Sequence, residues 1–127
     1  MATRYRSIGV TEMVVLKALW DHGSATVRDL RAALREQGYD WAYTTVLTML
    51  QRLEAKGYVA SNKRGVAHVF RPAMSREKLL SRRLKELANQ LCEGTATPLV
   101  FTLVRENPLS REEIGQLRAL LDRLEKK

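Results

Sequence analysis

The sequence has little of what several large protein classes require. It has one cysteine, Cys92, so no disulfide can form within the chain, and no grouping of cysteine and histidine has zinc-site spacing. The longest apolar runs are about four residues, far short of the roughly 20 that cross a bilayer. Residues 1–8 lack the apolar segment of a secretory signal. We therefore expect a cytoplasmic protein that is not inserted in a membrane and holds no metal or cofactor.

Signatures of catalysis are also missing. The sequence contains no nucleophile elbow, P-loop, dinucleotide fingerprint or HExxH motif. No paired carboxylates lie where a pocket is expected. The sequence therefore predicts that the protein is not an enzyme.

Charge, in contrast, is plentiful and unbalanced. Lys and Arg number 22 against 14 Asp and Glu, which gives a net charge of +8. A surplus of this size indicates a polyanionic partner. The hydrophobic share of 45% is ordinary for a folded protein, and 127 residues suit one small domain with an appendage.

The first part of the chain has the pattern of three helices and a hairpin. Helices are predicted near residues 9–22, 26–38 and 42–56, the second opening with a capping box of Thr26 and Asp29. Alternation then predicts strands at 58–61 and 67–70, with residues 62–65 as the turn. The third helix has an apolar face at helical spacing, formed by Val46, Met49, Leu50 and Leu53.

The opposite face of the third helix is rich in threonine. Thr44, Thr45 and Thr48 precede Gln51 and Arg52 on this face. Threonine is a mediocre helix former that costs about 0.5 kcal/mol relative to alanine. Two interpretations are open. The face is an exposed surface whose threonines accumulated by chance, or it is a contact surface of short hydrogen-bonding side chains.

The remaining residues predict three one-faced helices. One runs from Ser75 to about Glu93, one opens at Thr97 with Pro98 in its first turn, and one follows a capping box at Ser110. The first has a heptad-like seam of leucines. Three short helices cannot hide their own apolar stripes, so we expect self-association.

This order of elements predicts a mainly α fold with a small β-hairpin. It is a winged helix-turn-helix over residues 1–73, followed by a three-helix dimerisation domain over residues 74–127. The third helix is then the recognition helix and the hairpin is the wing. Residues 41–72 contain five cations and one anion, a net +4 that falls on this helix and this hairpin.

Three segments resemble the penicillinase-repressor (BlaI/MecI) family of bacterial regulators. They are ALWDHG at 18–23, ATVRDL at 25–30 and YTTVLTMLQRL at 43–53, which KGYV follows. The resemblance continues through FRP at 70–72, SREK at 75–78 and LSREEI at 109–114. It implies a homodimeric repressor on a palindromic double-stranded DNA operator, controlling β-lactamase or cell-envelope stress genes and its own gene.

Carried over by position, the resemblance predicts the contacts. Thr44, Thr45 and Thr48 are expected at base edges, with hydroxyls for hydrogen bonds and methyls for thymine. Phosphate contacts are expected at Arg52, Lys63 and Arg64, and also at Thr26 and Arg28 at the amide end of the second helix. Tyr43 lies on the recognition helix and is either a DNA contact or a packing residue. The expected dimer core consists of Leu80, Leu84, Leu87, Leu91, Leu99, Val100, Leu103, Ile114, Leu117, Leu121 and Leu124.

The resemblance also bears on how repression is released. In one branch of the family, a sensor-linked protease cuts at an Asn-Phe pair, and the matching positions here are Thr102 and Leu103. A copper-responsive branch has a cysteine-rich end, which this sequence lacks. Cys92 is either a small buried residue or a disulfide sensor between subunits. We expect His22 in a turn and His68 in a wing strand.

Two other functions remain as alternatives. A winged helix also serves in protein contacts, and some basic proteins compact DNA without sequence preference. A compacting protein needs cations more than threonines, so the threonine face favours base reading.

Overall fold

The computed structural model describes residues 7–127, with the side chain of Arg64 excepted. Residues 1–6, which contain most of the segment examined for a secretory signal, lie outside the described part. Eight elements follow in the order predicted: α1 (Val10–His22), α2 (Val27–Glu36), α3 (Tyr43–Ala55), β1 (Val59–Arg64), β2 (Ala67–Pro72), α4 (Arg76–Leu91), α5 (Thr97–Glu106) and α6 (Arg111–Glu125). The mainly helical winged-helix prediction is confirmed.

The chain divides into two compact units, Met1–Leu80 and Ser81–Lys127. The first contains α1 to α3, the hairpin and the start of α4. Its core is built from apolar residues of all these elements, with Tyr58 and Phe70 as the largest fully buried side chains. The predicted division at residue 73 stays a prediction.

Local capping fixes the helix starts. Thr26 Oγ1 accepts the Asp29 N–H at 3.1 Å, and the Asp29 carboxylate accepts the Thr26 N–H at 3.4 Å. Ser110 and Glu113 make the same reciprocal bonds at 3.0 and 2.9 Å. These two capping boxes confirm the predicted starts of α2 and α6, because each satisfies helix amides that have no partner within the helix.

The hairpin departs from the predicted turn. The register pairs Lys63 with His68 and Arg64 with Ala67, so the loop is the two-residue turn of Gly65 and Val66. The prediction of a turn at 62–65 is therefore wrong, since residues 62–64 belong to β1. Gly65 has a φ of +62°, which suits the twist of a two-residue hairpin loop and which few other residues adopt cheaply.

A third segment joins the hairpin. Ala25 N–H donates to the Phe70 carbonyl at 2.9 Å, and Phe70 N–H donates to the Ala25 carbonyl at 2.8 Å. Ala25 immediately precedes the N-cap of α2. The bridge therefore fixes the hairpin beside the N-terminus of α2.

The start of α4 is attached to α1. Trp20 Nε1 donates to the Met74 carbonyl at 2.9 Å, and the Arg76 guanidinium lies over the Trp20 ring at 5.2 Å. Arg76 also reaches Asp21 at 3.4 Å. These contacts fix the direction in which the chain leaves the hairpin, because they combine a hydrogen bond, a cation–π contact and an exposed ion pair.

The predicted boundary of α5 is displaced by one residue. The helix begins at Thr97 with Ala96 as its N-cap, so Pro98 is the second helical residue instead of the first. Proline is tolerated there because the first-turn amides have no partner within the helix.

Candidate nucleic-acid interface

Helix α3 presents one face to the core and the other to solvent. Val46, Leu50 and Leu53 are fully buried, while Met49 is half-buried and packs against the core. The remaining face is accessible, as predicted. Its exposed predicted residues are Tyr43, Thr44, Thr45 and Arg52, and Thr48 is half-buried.

The loop between α2 and α3 sets the angle at which α3 begins. Arg31 Nε donates to the Trp41 carbonyl at 2.9 Å. The rings of Tyr39 and Trp41 lie 5.0 Å apart. Tyr39 N–H also donates to the Leu34 carbonyl at 2.9 Å. The first turn of α3, with its threonines, is therefore held by α2.

An ion pair fixes the other end of α3. Lys56 Nζ lies 2.5 and 3.1 Å from the two carboxylate oxygens of Glu12 on α1, and it donates to the Ser7 carbonyl at 2.9 Å. Glu12 is buried. Burial alone raises the pKa of Glu12, but hydrogen bonds from Lys56 and the Gly9 N–H, with the charges of Lys56 and Arg52, lower it overall.

This pair revises the charge count. Lys56 is one of the five cations in residues 41–72, but its charge is matched by Glu12. Lys56 therefore adds little net charge to the surface that α3 presents.

A cleft of about 470 Å³ lies where α2, α3 and the hairpin meet. Four predicted residues line it: Thr26 and Arg28 from the start of α2, Tyr43 from α3 and Lys63 from β1. The structure thus brings helix end, recognition helix and wing together around one cavity. The side chain of Arg64, also predicted to contact phosphate, lies outside the described part of the structure.

Sequence reasoning missed two functional candidates in this cleft. His68 lines it from β2, and Val66 lines it from the hairpin turn. Val66 is fully exposed at the tip, where a buried core cannot explain an apolar side chain. A two-residue turn places His68 opposite Lys63, so the correct loop length was the signal that could have identified His68.

The second unit leaves most of its apolar side chains exposed. Neither α5 nor α6 has a buried residue. Leu84, Leu99 and Leu117 of the predicted dimer core are half-buried. The other eight are exposed to 38% or more, and all but Leu80, the last residue of the first unit, lie in the second: Leu80, Leu87, Leu91, Val100, Leu103, Ile114, Leu121 and Leu124. Exposed apolar residues that the prediction missed are Phe101, Val104 and Leu120.

The positions suggested for induction lie in the same unit. Thr102 and Leu103 are exposed and lie inside α5. Cys92 is a free cysteine of intermediate exposure just after α4. Over residues 7–127, no group of three or more His, Cys, Asp or Glu residues is placed to hold a metal ion.

Within the described part of the chain, no helix combines the length and the apolar character needed to span a bilayer.

Three packed helices, a hairpin bridged to the second helix and a basic cleft between them define a winged-helix DNA-binding protein. Comparison with known protein families supports this class. A family model described as "Penicillinase repressor" matches residues 8–123. The chain belongs to the penicillinase repressor family. It is therefore a DNA-binding transcriptional repressor and not an enzyme.

Individual relatives extend along nearly the whole chain. The penicillinase repressor of Bacillus licheniformis is 28% identical over 115 residues, which cover 91% of this chain and 89% of that protein. The transcriptional regulator BlaI of Mycobacterium tuberculosis is 32% identical over 120 residues, covering 93% and 85%. The solution structure of the DNA-binding domain of the repressor BlaI matches with a TM-score of 0.52 at 27% identity, over 61% of this chain and 93% of that chain.

Proposed function

We propose that the chain is a homodimeric repressor that occupies a palindromic operator in the cytoplasm. Each protomer places α3 in a major groove and its hairpin against the neighbouring backbone. The observation that carries this proposal is the exposed apolar surface of the second unit. Two helices with no buried residue gain stability by packing against a second copy, because this removes apolar area from water.

The proposed contacts divide by chemistry. Thr44, Thr45 and Thr48 read base edges, since their hydroxyls donate and accept and their methyls suit thymine. Backbone contacts are assigned to Arg52, Lys63, Arg64, Thr26, Arg28 and Tyr43. Exposure of the first two threonines and the cleft around Thr26, Arg28, Tyr43 and Lys63 support this division.

In this proposal, dimerisation lets the protein discriminate its operator from other DNA. Two recognition helices about 34 Å apart match successive major grooves on one side of the duplex. We assign residues 1–73 to DNA binding and residues 74–127 to dimerisation. The dimer surface comprises the eleven predicted dimer-core residues, with Phe101, Val104 and Leu120 added because they are exposed on the same helices.

The target genes are proposed from the names of relatives. One relative is a penicillinase repressor, and another is the methicillin resistance regulatory protein MecI of Staphylococcus aureus. We propose that this chain represses β-lactamase or cell-envelope stress genes and its own gene. If a sensor-linked protease releases repression at Thr102 and Leu103, α5 must first open locally, because both residues lie inside a helix.

The test compares two duplexes of equal length at about 0.15 M salt, where non-specific binding is weak. One is the promoter upstream of the gene for this chain, and the other has random sequence. A specific repressor binds the promoter about 10³-fold tighter or more. Equal binding to both would favour DNA compaction, and binding to neither would favour a winged helix used for protein contacts.

A further inference from the structure

The cleft contains one titratable side chain to which the proposed readout gives no role. His68 on β2 is the register partner of Lys63 on β1, so the two side chains share a face of the hairpin. Both line the cleft, together with Arg28 of α2 and Tyr43 of α3. The His68 ring meets the buried Phe70 edge-to-face at 6.0 Å between centroids. A core residue therefore supports the imidazole.

The lining of the cleft is rich in donors. Arg28, Lys63 and His68 approach from three elements, and Tyr43 adds a hydroxyl. No carboxylate lines the cleft within the described residues. The nearby Asp29 is occupied as the acceptor of the Thr26 N–H. Phosphate oxygens accept hydrogen bonds and carry negative charge, so this set of groups suits a phosphate.

The position of the cleft identifies which phosphate. The cleft lies beside the N-terminus of α2, where helix amides favour an anion. It also lies between the recognition helix and the wing, where a bound duplex presents its backbone. A phosphodiester of the DNA is thus the nearest source of the ligand.

We propose that the cleft holds one backbone phosphate of bound DNA and that His68 binds this phosphate in its protonated form. The inference rests on the DNA-binding function proposed above. The negative charge of a phosphate bound in the cleft favours the protonated imidazole over the neutral one. DNA binding therefore takes up a proton, and affinity rises as pH falls through the range in which histidine titrates.

The chain provides a matched control. Its only other histidine, His22, lies at the end of α1, where its Nδ1 is 2.8 Å from the Ser24 carbonyl oxygen. His22 does not line the cleft. His68→Gln and His22→Gln therefore make the same change inside and outside the proposed site.

The experiment measures the affinity of the full chain for a random-sequence duplex between about pH 6 and about pH 8. Wild type and His22→Gln should lose affinity as pH rises, by at most about tenfold per pH unit for one proton. His68→Gln should show a flat profile and bind more weakly at low pH. A flat profile in His22→Gln, or an unchanged slope in His68→Gln, would overturn the proposal.

A second measurement identifies the source of the phosphate. The ring resonances of His68 are followed by NMR as either duplex or inorganic phosphate is added. Duplex should shift these resonances, whereas inorganic phosphate at the same phosphate concentration should leave them in place. An equal shift with inorganic phosphate would replace the DNA clamp with a site for a free anion.

Different results would refute the phosphate clamp and the specific repressor. A promoter preference with no effect of His68 refutes the phosphate clamp and leaves the specific repressor intact. Loss of the pH profile in His68→Gln without a promoter preference supports the clamp and refutes specific repression. His68 is exposed, so His68→Gln should stay folded and lose only the edge-to-face contact with Phe70, which is about 0.5–1.5 kcal/mol.

Discussion

The side chains of α3 divide into those that pack in the core and those that remain at the surface. Val46, Leu50 and Leu53 are buried against α1 and α2, and they fix how the helix is rotated about its axis. Thr44 and Thr45 are left at the surface by that rotation. The cost of threonine in a helix, about 0.5 kcal/mol each, is consistent with selection for contact rather than for stability.

Thr48→Ala tests the threonine face. The variant should bind the promoter duplex about fivefold more weakly, a loss of about 1 kcal/mol, because one hydroxyl and one methyl leave the base edge. Binding to the random duplex should not change. Electrophoretic mobility shifts with both probes measure the two affinities.

The control is Thr11→Ala on α1, whose hydroxyl donates to Met49 Sδ of α3 at 3.7 Å, so this variant reports what a change in α3 packing alone does to promoter affinity. Alanine is the better helix former, which offsets the packing lost at the half-buried Thr48, so both variants should unfold near the wild-type midpoint. Promoter affinity equal to that of Thr11→Ala would remove Thr48 from the readout.

Glu12→Gln tests the buried ion pair beneath α3. Removing the carboxylate charge leaves Lys56 without its partner, so unfolding free energy should fall by about 1–3 kcal/mol at neutral pH. The pKa of Glu12 is lowered by folding, so its stabilisation is present above the ordinary value of 4.5 and is lost as pH falls through the lower folded value.

The wild type and Glu12→Gln should therefore differ by a constant amount near neutral pH and converge in acid. Urea unfolding at several pH values measures this difference. A difference that persists unchanged well below pH 4.5 would show that the carboxylate charge is not the source. Glu125→Gln, at an exposed position that ends α6, is the matched control.

At the scale of elements, the sequence predicts what local chemistry determines. The starts of α2 and α6 were predicted correctly because a capping box is made by residues three apart. The hairpin turn was misplaced because Asn62, Lys63 and Arg64 have turn-like composition, yet the two-residue loop extends both strands.

Long-range contacts account for what the sequence did not reveal. The bridge between Ala25 and Phe70 joins residues 45 positions apart, and no local pattern specifies it. The cleft depends on that bridge, because the bridge sets the hairpin beside α2. Thr26, Arg28, Tyr43 and Lys63 were therefore predicted as separate contacts, whereas the cavity that they share came only from the structure.

Gly65→Ala tests the corrected turn. The φ of +62° at this position should cost an alanine about 1 kcal/mol, although nothing lies within 4 Å of the added Cβ. Gly65→Asn should be milder, because asparagine adopts this conformation more readily. Thermal unfolding measures both variants, and equal midpoints for all three proteins would contradict the left-handed turn.

At the scale of the whole molecule, two surfaces suit partners of different chemistry. The first unit presents a basic cleft beside a threonine face, which suits DNA. The second presents exposed leucines on α4, α5 and α6, which suit a second apolar surface. A repressor needs both, because pairing of the second units is what places two recognition helices on one operator.

Leu121→Asp tests the proposed pairing. Leu121 is 61% exposed in the single chain, so a charge there should not disturb the fold of one protomer. At a dimer interface the same aspartate is buried without a partner, and the cost of burying it should drive dissociation. We expect dimers for the wild type and monomers for Leu121→Asp by light scattering, with a large loss of promoter affinity.

Ala119→Asp supplies the comparison that interprets this result. Ala119 is exposed on α6, and its position two residues before Leu121 puts it on the other side of the helix. It adds the same charge away from the leucine stripe, so dimers and promoter binding should persist. If Leu121→Asp also remains dimeric, the leucine stripe of α6 is not the interface. If both variants dissociate, added charge rather than position controls assembly, and the assignment of the stripe is refuted.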